Sequence, residues 1–237
     1  MLKELLEDAR SIARRDPAAK NTLEVILLYP GFHALIYHKI SHWLYKKRLF
    51  FPARLVSQAG RFFTGIEIHP GAVIGRGLFI DHGMGVVIGE TAEVGDNCTL
   101  YHGVTLGGTG KDKGKRHPTI GNNVLIGTGA KVLGPFKVGD NARIAANAVV
   151  LREVEPNTTV VGAPGRPVKK GDTRLASVEL DQIHIPDPVS QELCRLLARI
   201  ERLEAITSGR ESRPLDEKMK ETLHEGFANI DCGDKKK

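Results

Sequence analysis

Aliphatic residues return at every sixth position through the middle of the chain. They run Ile68, Ile74, Ile80, then, after a slip of two residues, Ile88, Val94, Leu100 and Leu106. The step stops at GGTGKDKGKRHPT (Gly107–Thr119) and resumes at Ile120, Ile126, Val132, Val138, Ile144 and Val150. Gly often follows the aliphatic position, as at Gly75, Gly89, Gly95, Gly121, Gly127 and Gly139. Four residues after it stands a small or β-branched side chain: Ala72, Ala92, Cys98, Val104, Val124, Ala130, Ala142 or Ala148. A period of six fits neither the 3.6 of a helix nor the 2 of a flat strand. It predicts a chain that turns a corner every six residues, with three sides closing one coil.

Such a chain is a mainly β fold, a parallel β-helix of hexapeptide repeats, with aliphatic side chains filling a triangular prism. It is expected over residues 66–168, with 107–119 standing out as a loop. Cys98 occupies a small-residue slot and reads as core filler. Residues 1–65 read as an α-helical region. Leu2, Leu5, Leu6, Ala9 and Ile12 mark one helical face, and Phe32, Leu35, Ile36, Ile40, Trp43 and Leu44 mark another over 31–49. Asp16-Pro17 predicts a helix start, with the Asp as cap. His33, His38 and His42 are expected to pack or to face solvent. After the coil, residues 169–237 divide into a polar linker, a helix over about 187–206 and a loose charged tail. In that helix Leu193, Leu196, Ile200 and Leu203 form a stripe suited to pairing with copies of itself.

Composition narrows the function classes. The 237 residues carry a net charge of +6, spread along the chain rather than massed on one segment, which disfavours nucleic acid as a partner. The cluster Lys111–Arg116 suits a small polyanionic ligand. Cys98, Cys194 and Cys232 lie far apart without a paired motif, as expected of reduced thiols in a cytoplasmic protein. The opening segment is charged throughout, unlike a signal peptide. The most apolar stretch, around 25–44, holds too many polar residues to span a bilayer.

His69, His82, His102 and His117 lie within the repeats, where the core has no use for an imidazole, so they are expected to point outward. Glu67 stands fifteen residues before His82, slightly less than one coil. Successive coils stack about 4.8 Å apart, so the two can meet near one corner, the carboxylate orienting an imidazole that then acts as a base. The loop brings glycine backbone N–H groups and Arg116, whose fork can grip a carboxylate.

The segments RDPAA (Arg15–Ala19), GFHAL (Gly31–Leu35), EIHPGAVIGRG (Glu67–Gly77), DHGMGVVIGETA (Asp81–Ala92), VTLGGTGK (Val104–Lys111), RHPTIG (Arg116–Gly121) and VVGAPGRP (Val160–Pro167) resemble the serine O-acetyltransferase family. The resemblance covers about residues 10–170. It implies a left-handed parallel β-helix and transfer of acetyl from acetyl-CoA to the L-serine hydroxyl on the way to cysteine, with no permanently bound cofactor and no metal. His82 then matches the general base and Glu67 its partner, where the family usually has Asp. Asp16 and Asp81 match residues that hold the serine ammonium. Arg116 and His117 match those at its carboxylate and hydroxyl. Gly108, Thr109 and Lys111 match the segment lining the acetyl-CoA site. A homotrimer with sites between subunits is implied. The region before Asp16 is shorter than in family members that form hexamers, so a trimer is expected here. Those members present a C-terminal Ile to O-acetylserine sulfhydrylase. This chain ends DCGDKKK, with Ile230 seven residues from the end, so binding of that partner is not expected. Two other readings of the coil are an acetyltransferase for another acceptor, such as a sugar, and a metal-binding β-helix enzyme like the prism-shaped carbonic anhydrases.

Overall fold

The computed structural model describes residues 2–108, 110 and 113–170, together with Leu196, Leu197, Arg199, Ile200, Leu203 and Thr207. The chain divides into two compact units, Met1–Ile183 and His184–Lys237. In the second, the described residues are helical, and Leu196, Ile200 and Leu203 are exposed. The rest of the expected 187–206 helix, the linker 171–186 and the tail lie outside the described residues.

The first unit begins with four helices: α1 (Leu2–Arg15), α2 (Thr22–Leu28), α3 (Pro30–Lys46) and α4 (Phe50–Thr64). Ala9 and Ile12 of α1 pack with Val25, Phe32 and Phe79 in a small apolar cluster. Asp16-Pro17 does not start a helix. Asp16 N–H closes the last turn of α1 onto the Ile12 carbonyl, and the cap of α2 is Asn21, whose side chain accepts from Glu24 N–H. The Asp side chain serves a different purpose, described below. The single helix expected over 31–49 ends at Lys46, and α4 follows as a separate element.

The coil then lays down strands on three faces in turn. The first face holds β1 (Glu67–Ile68), β4 (Val87–Ile88), β7 (Thr105–Gly107), β10 (Lys131–Leu133) and β13 (Val149–Val150). The second holds β2 (Val73–Ile74), β5 (Glu93–Val94), β8 (Thr119–Ile120) and β11 (Lys137–Val138). The third holds β3 (Phe79–Asp81), β6 (Thr99–Tyr101), β9 (Leu125–Ile126), β12 (Arg143–Ile144), β14 (Thr158–Val161) and β15 (Arg166–Lys170). All pairings between coils are parallel, and β15 alone runs antiparallel, on β14. The aliphatic residues of the six-step form one buried cluster with the small residues between them, only Ile74 being half-buried. Cys98 is buried in that cluster, its thiol donating to the Gly121 carbonyl at 3.1 Å. Burial pushes the thiol pKa up to about 11, so it is no nucleophile.

The two-residue slip has a structural cause. At the corner leading from the third face to the first, Gly103 N–H donates to Met84 O just as Gly129 N–H donates to His102 O on the next coil, both at 2.9 Å. Asp81 pairs with Tyr101. The extra residues are therefore His82 and Gly83, and they push the corner outward.

Candidate active site

His82 sits on that bulge with φ 57°, a left-handed backbone uncommon for a side chain with a β-carbon. Its side chain is 76% exposed. Nε2 lies 3.8 Å from Asp81 Oδ1, and the His102 ring from the next coil stands edge-on to it, centroids 5.9 Å apart. The turn after α1 brings Asp16 to the same edge. Its Oδ1 accepts from Ala18 N–H at 2.8 Å and its Oδ2 from the Tyr29 hydroxyl at 2.7 Å. Burial pushes the Asp81 carboxyl pKa up, the Asp16 charge adds to the rise, and the neighbouring His82 opposes it. Asp16 and Asp81 thus bring two carboxylates to the edge that carries the exposed imidazole.

Glu67 does not join them. Its carboxylate pairs with Arg61 of α4 at 3.0 Å and with Arg54 at 3.9 Å, and no hydrogen bond or ion pair links it to His82. Coil spacing brings the two residues toward one corner, but two guanidinium groups on α4 attract the carboxylate more strongly than an imidazole does. The carboxylate beside the His82 ring is that of Asp81.

Arg116 and His117 lie at another edge, between the first and second faces. Arg116 pairs with Glu90, which also accepts from the Tyr45 hydroxyl at 3.1 Å. His117 is buried, though outside the apolar core of the coil. Its ring lies so close over Gly89 that a β-carbon there would overlap it. Thr91 N–H donates to Nδ1 at 3.2 Å, so in the neutral ring the proton is on Nε2, the atom facing Gly108. Burial and the Arg116 charge push the His117 pKa down, which keeps it a neutral donor.

The first face separates the two edges, and a six-residue side at about 3.3 Å per residue sets them on the order of 15–20 Å apart. One chain thus carries an edge with two carboxylates and an exposed imidazole, and an edge with a guanidinium and a neutral imidazole donor.

The family model "Bacterial transferase hexapeptide (six repeats)" matches residues 117–152. The chain is 54% identical over 223 residues to the serine acetyltransferase of Synechococcus elongatus, covering 94% of this chain and 91% of that one. Two solved structures resemble it closely. The serine acetyltransferase of Brucella abortus strain S19 in complex with coenzyme A gives a TM-score of 0.70 at 45% identity, covering 73% of this chain and 70% of that one. That of Neisseria gonorrhoeae in complex with serine gives 0.69 at 43%, covering 71% and 69%.

The chain belongs to the serine acetyltransferase family.

In this acetyltransferase, Gly108 abuts the Arg116 backbone and the His117 ring. Thr109 and Lys111 lie outside the described residues. Lys115 donates to Thr91 O at 2.7 Å and pairs with Glu93 at 2.9 Å, so its charge is already committed. Sequence reasoning assigned no role to Glu90, Thr91, Tyr45, Tyr29 or His102. The visible signals were the acid and the hydroxyl side by side in the GETA corner (Gly89–Ala92) and a second histidine one coil beyond His82. Among the described residues no helix is long and apolar enough to cross a membrane.

Proposed function

We propose that this serine acetyltransferase carries acetyl from acetyl-CoA to the L-serine hydroxyl by direct transfer, with His82 as the base. The serine Oγ attacks the thioester carbonyl carbon, a C–O bond forms and the C–S bond breaks. His82 takes the proton from Oγ and returns it to the departing CoA sulfur. Asp16 and Asp81 hold the ammonium. Arg116 holds the carboxylate, the free donors of its fork remaining available beside Glu90. The His117 Nε2–H donates near the hydroxyl, and the Gly108 segment lines the acetyl-CoA side. Positioned acid–base work supplies roughly 10²–10⁴-fold, and joining two oriented substrates supplies several kcal/mol more.

The observation that carries this reading is the separation of the two half-sites on different edges of one prism. L-Serine is too short to bridge them within a chain. A cyclic trimer in which each prism turns its first face toward the threefold axis sets the His82 edge of one copy beside the Arg116 edge of the next. Exposed Phe51, Leu55, Phe62 and Phe63 on α4, next to β1, give such an assembly apolar area to bury. A cytoplasmic location follows from the cysteine usage. Release of CoA from acetyl-CoA, measured with L-serine, without it, and with sugar acceptors, tests the reading. Release that depends on L-serine supports it, and faster release with a sugar refutes it.

A further inference from the structure

α1 is fastened to the corner that feeds β3. Asp8, itself buried, accepts from Gly77 N–H at 2.9 Å and pairs with Lys39 of α3 at 3.1 Å. Arg15, the last residue of α1, donates to the Gly77 carbonyl, to Asn97 O at 3.2 Å, to Cys98 O at 3.3 Å and to Thr99 Oγ1 at 3.4 Å. Gly77 has φ 65°, and a β-carbon there would press on the Asn97 side chain of the next coil, so this corner favours glycine. The Arg15 guanidinium lies over the Phe79 ring at 5.5 Å. Phe79 begins the three-residue strand that ends at Asp81.

Arg15 therefore grips the strand that carries one carboxylate and is covalently joined to the residue that carries the other. Tyr29, between α2 and α3, completes the arrangement. Its hydroxyl donates to Asp16 Oδ2 at 2.7 Å while Ala18 N–H holds Oδ1, so both oxygens are fixed. Its ring packs beside the cluster of Ala9, Ile12, Val25, Phe32 and Phe79.

We propose that Tyr29 and Arg15 are positioning residues for amino-acid recognition, fixing the distance and aim of the Asp16 carboxylate relative to Asp81. Burial, Asp16, Glu24 and Asp81 all push the Tyr29 phenol pKa upward, so the group remains a donor throughout the working pH range. With one donor on each oxygen, the Asp16 carboxylate keeps further lone pairs for the ligand ammonium. Neither residue reaches the thioester, so their contribution belongs to acceptor binding. The inference rests on the assignment of Asp16 to the ammonium.

The test compares Tyr29→Phe, Asp16→Asn and Arg15→Lys with wild type, titrating L-serine at saturating acetyl-CoA and the reverse. Tyr29→Phe keeps the ring in its cluster and removes only the donor. Its KM for L-serine is expected to rise five- to twentyfold, with kcat and the KM for acetyl-CoA within twofold and the melting temperature unchanged. Arg15→Lys keeps the charge but cannot span the same carbonyls. It is expected to raise the L-serine KM as well, with some loss of melting temperature. A raised L-serine KM in Asp16→Asn beside an unchanged one in Tyr29→Phe overturns this inference alone. An unchanged KM in Asp16→Asn overturns the ammonium assignment and this inference with it. A Tyr29→Phe defect in kcat or in both KM values also overturns it, because positioning of one acceptor group moves neither.

Discussion

Two inactive variants should restore one another. If each site takes its base edge from one copy and its guanidinium edge from the next, His82→Ala and Arg116→Ala each abolish one half of every site in their own assemblies. His82→Ala loses the proton acceptor, about 10²–10⁴-fold in rate. Arg116→Ala loses a charged contact to the acceptor carboxylate of about 1.5–3 kcal/mol, on the order of ten- to a hundredfold. When equal amounts are co-expressed and assemble at random, a site is intact if its His82 edge comes from one variant and its Arg116 edge from the other. That probability is one half times one half, so about a quarter of wild-type activity should return. Release of CoA from purified mixed assemblies reads this directly, with each variant alone as the floor. Activity no greater than the mean of the two parents would refute the shared site, because a site built within one chain gives no complementation.

Other perturbations follow from individual contacts. Asp81→Asn should raise the L-serine KM at least tenfold while stabilising the fold at neutral pH. The folded carboxyl pKa lies above its unfolded value, so the penalty for ionisation is absent below the unfolded pKa and fully present above the folded one. A gain in melting temperature of about one to three degrees at pH 7.5, vanishing near pH 4, is the expected result of parallel thermal scans. His102→Ala removes the edge contact to the His82 ring, worth about 0.5–1.5 kcal/mol, and should lower kcat two- to tenfold with both KM values unchanged. Glu67→Gln and Arg61→Ala should each lower stability slightly, and the double variant should lose less than the sum. The coupling expected for a pair with a half-exposed arginine is about 0.2–1 kcal/mol. Denaturant titration of the four proteins measures it.

The prism was legible because its periodicity is dictated by packing. Every six residues one side chain must enter a narrow apolar core, so Ile68 through Val150 announce the coil before any contact is known. The slip of two residues was visible as a break in phase, and the structure shows where it falls: His82 and Gly83 are the residues added to the corner. Contacts across the coil were less legible. Spacing placed Glu67 near His82 but could not show that Arg54 and Arg61, thirteen and six residues earlier, would claim its carboxylate. Asp16-Pro17 has the composition of a helix start, yet it terminates α1, because Arg15 ties that end of the helix to the coil and the Asp side chain turns toward Ala18 and Tyr29. His117 belonged to a surface excursion by its sequence. Only the absence of a β-carbon at Gly89 shows why its ring can lie buried.

The central claim is that the His82 imidazole accepts the proton of the attacking hydroxyl. CoA release from acetyl-CoA at saturating L-serine, compared between wild type and His82→Ala with melting curves taken alongside, tests it most directly. A fall in kcat of at least about a hundredfold with the melting transition preserved is the predicted result. Turnover within a few fold of wild type in a folded His82→Ala protein would contradict it.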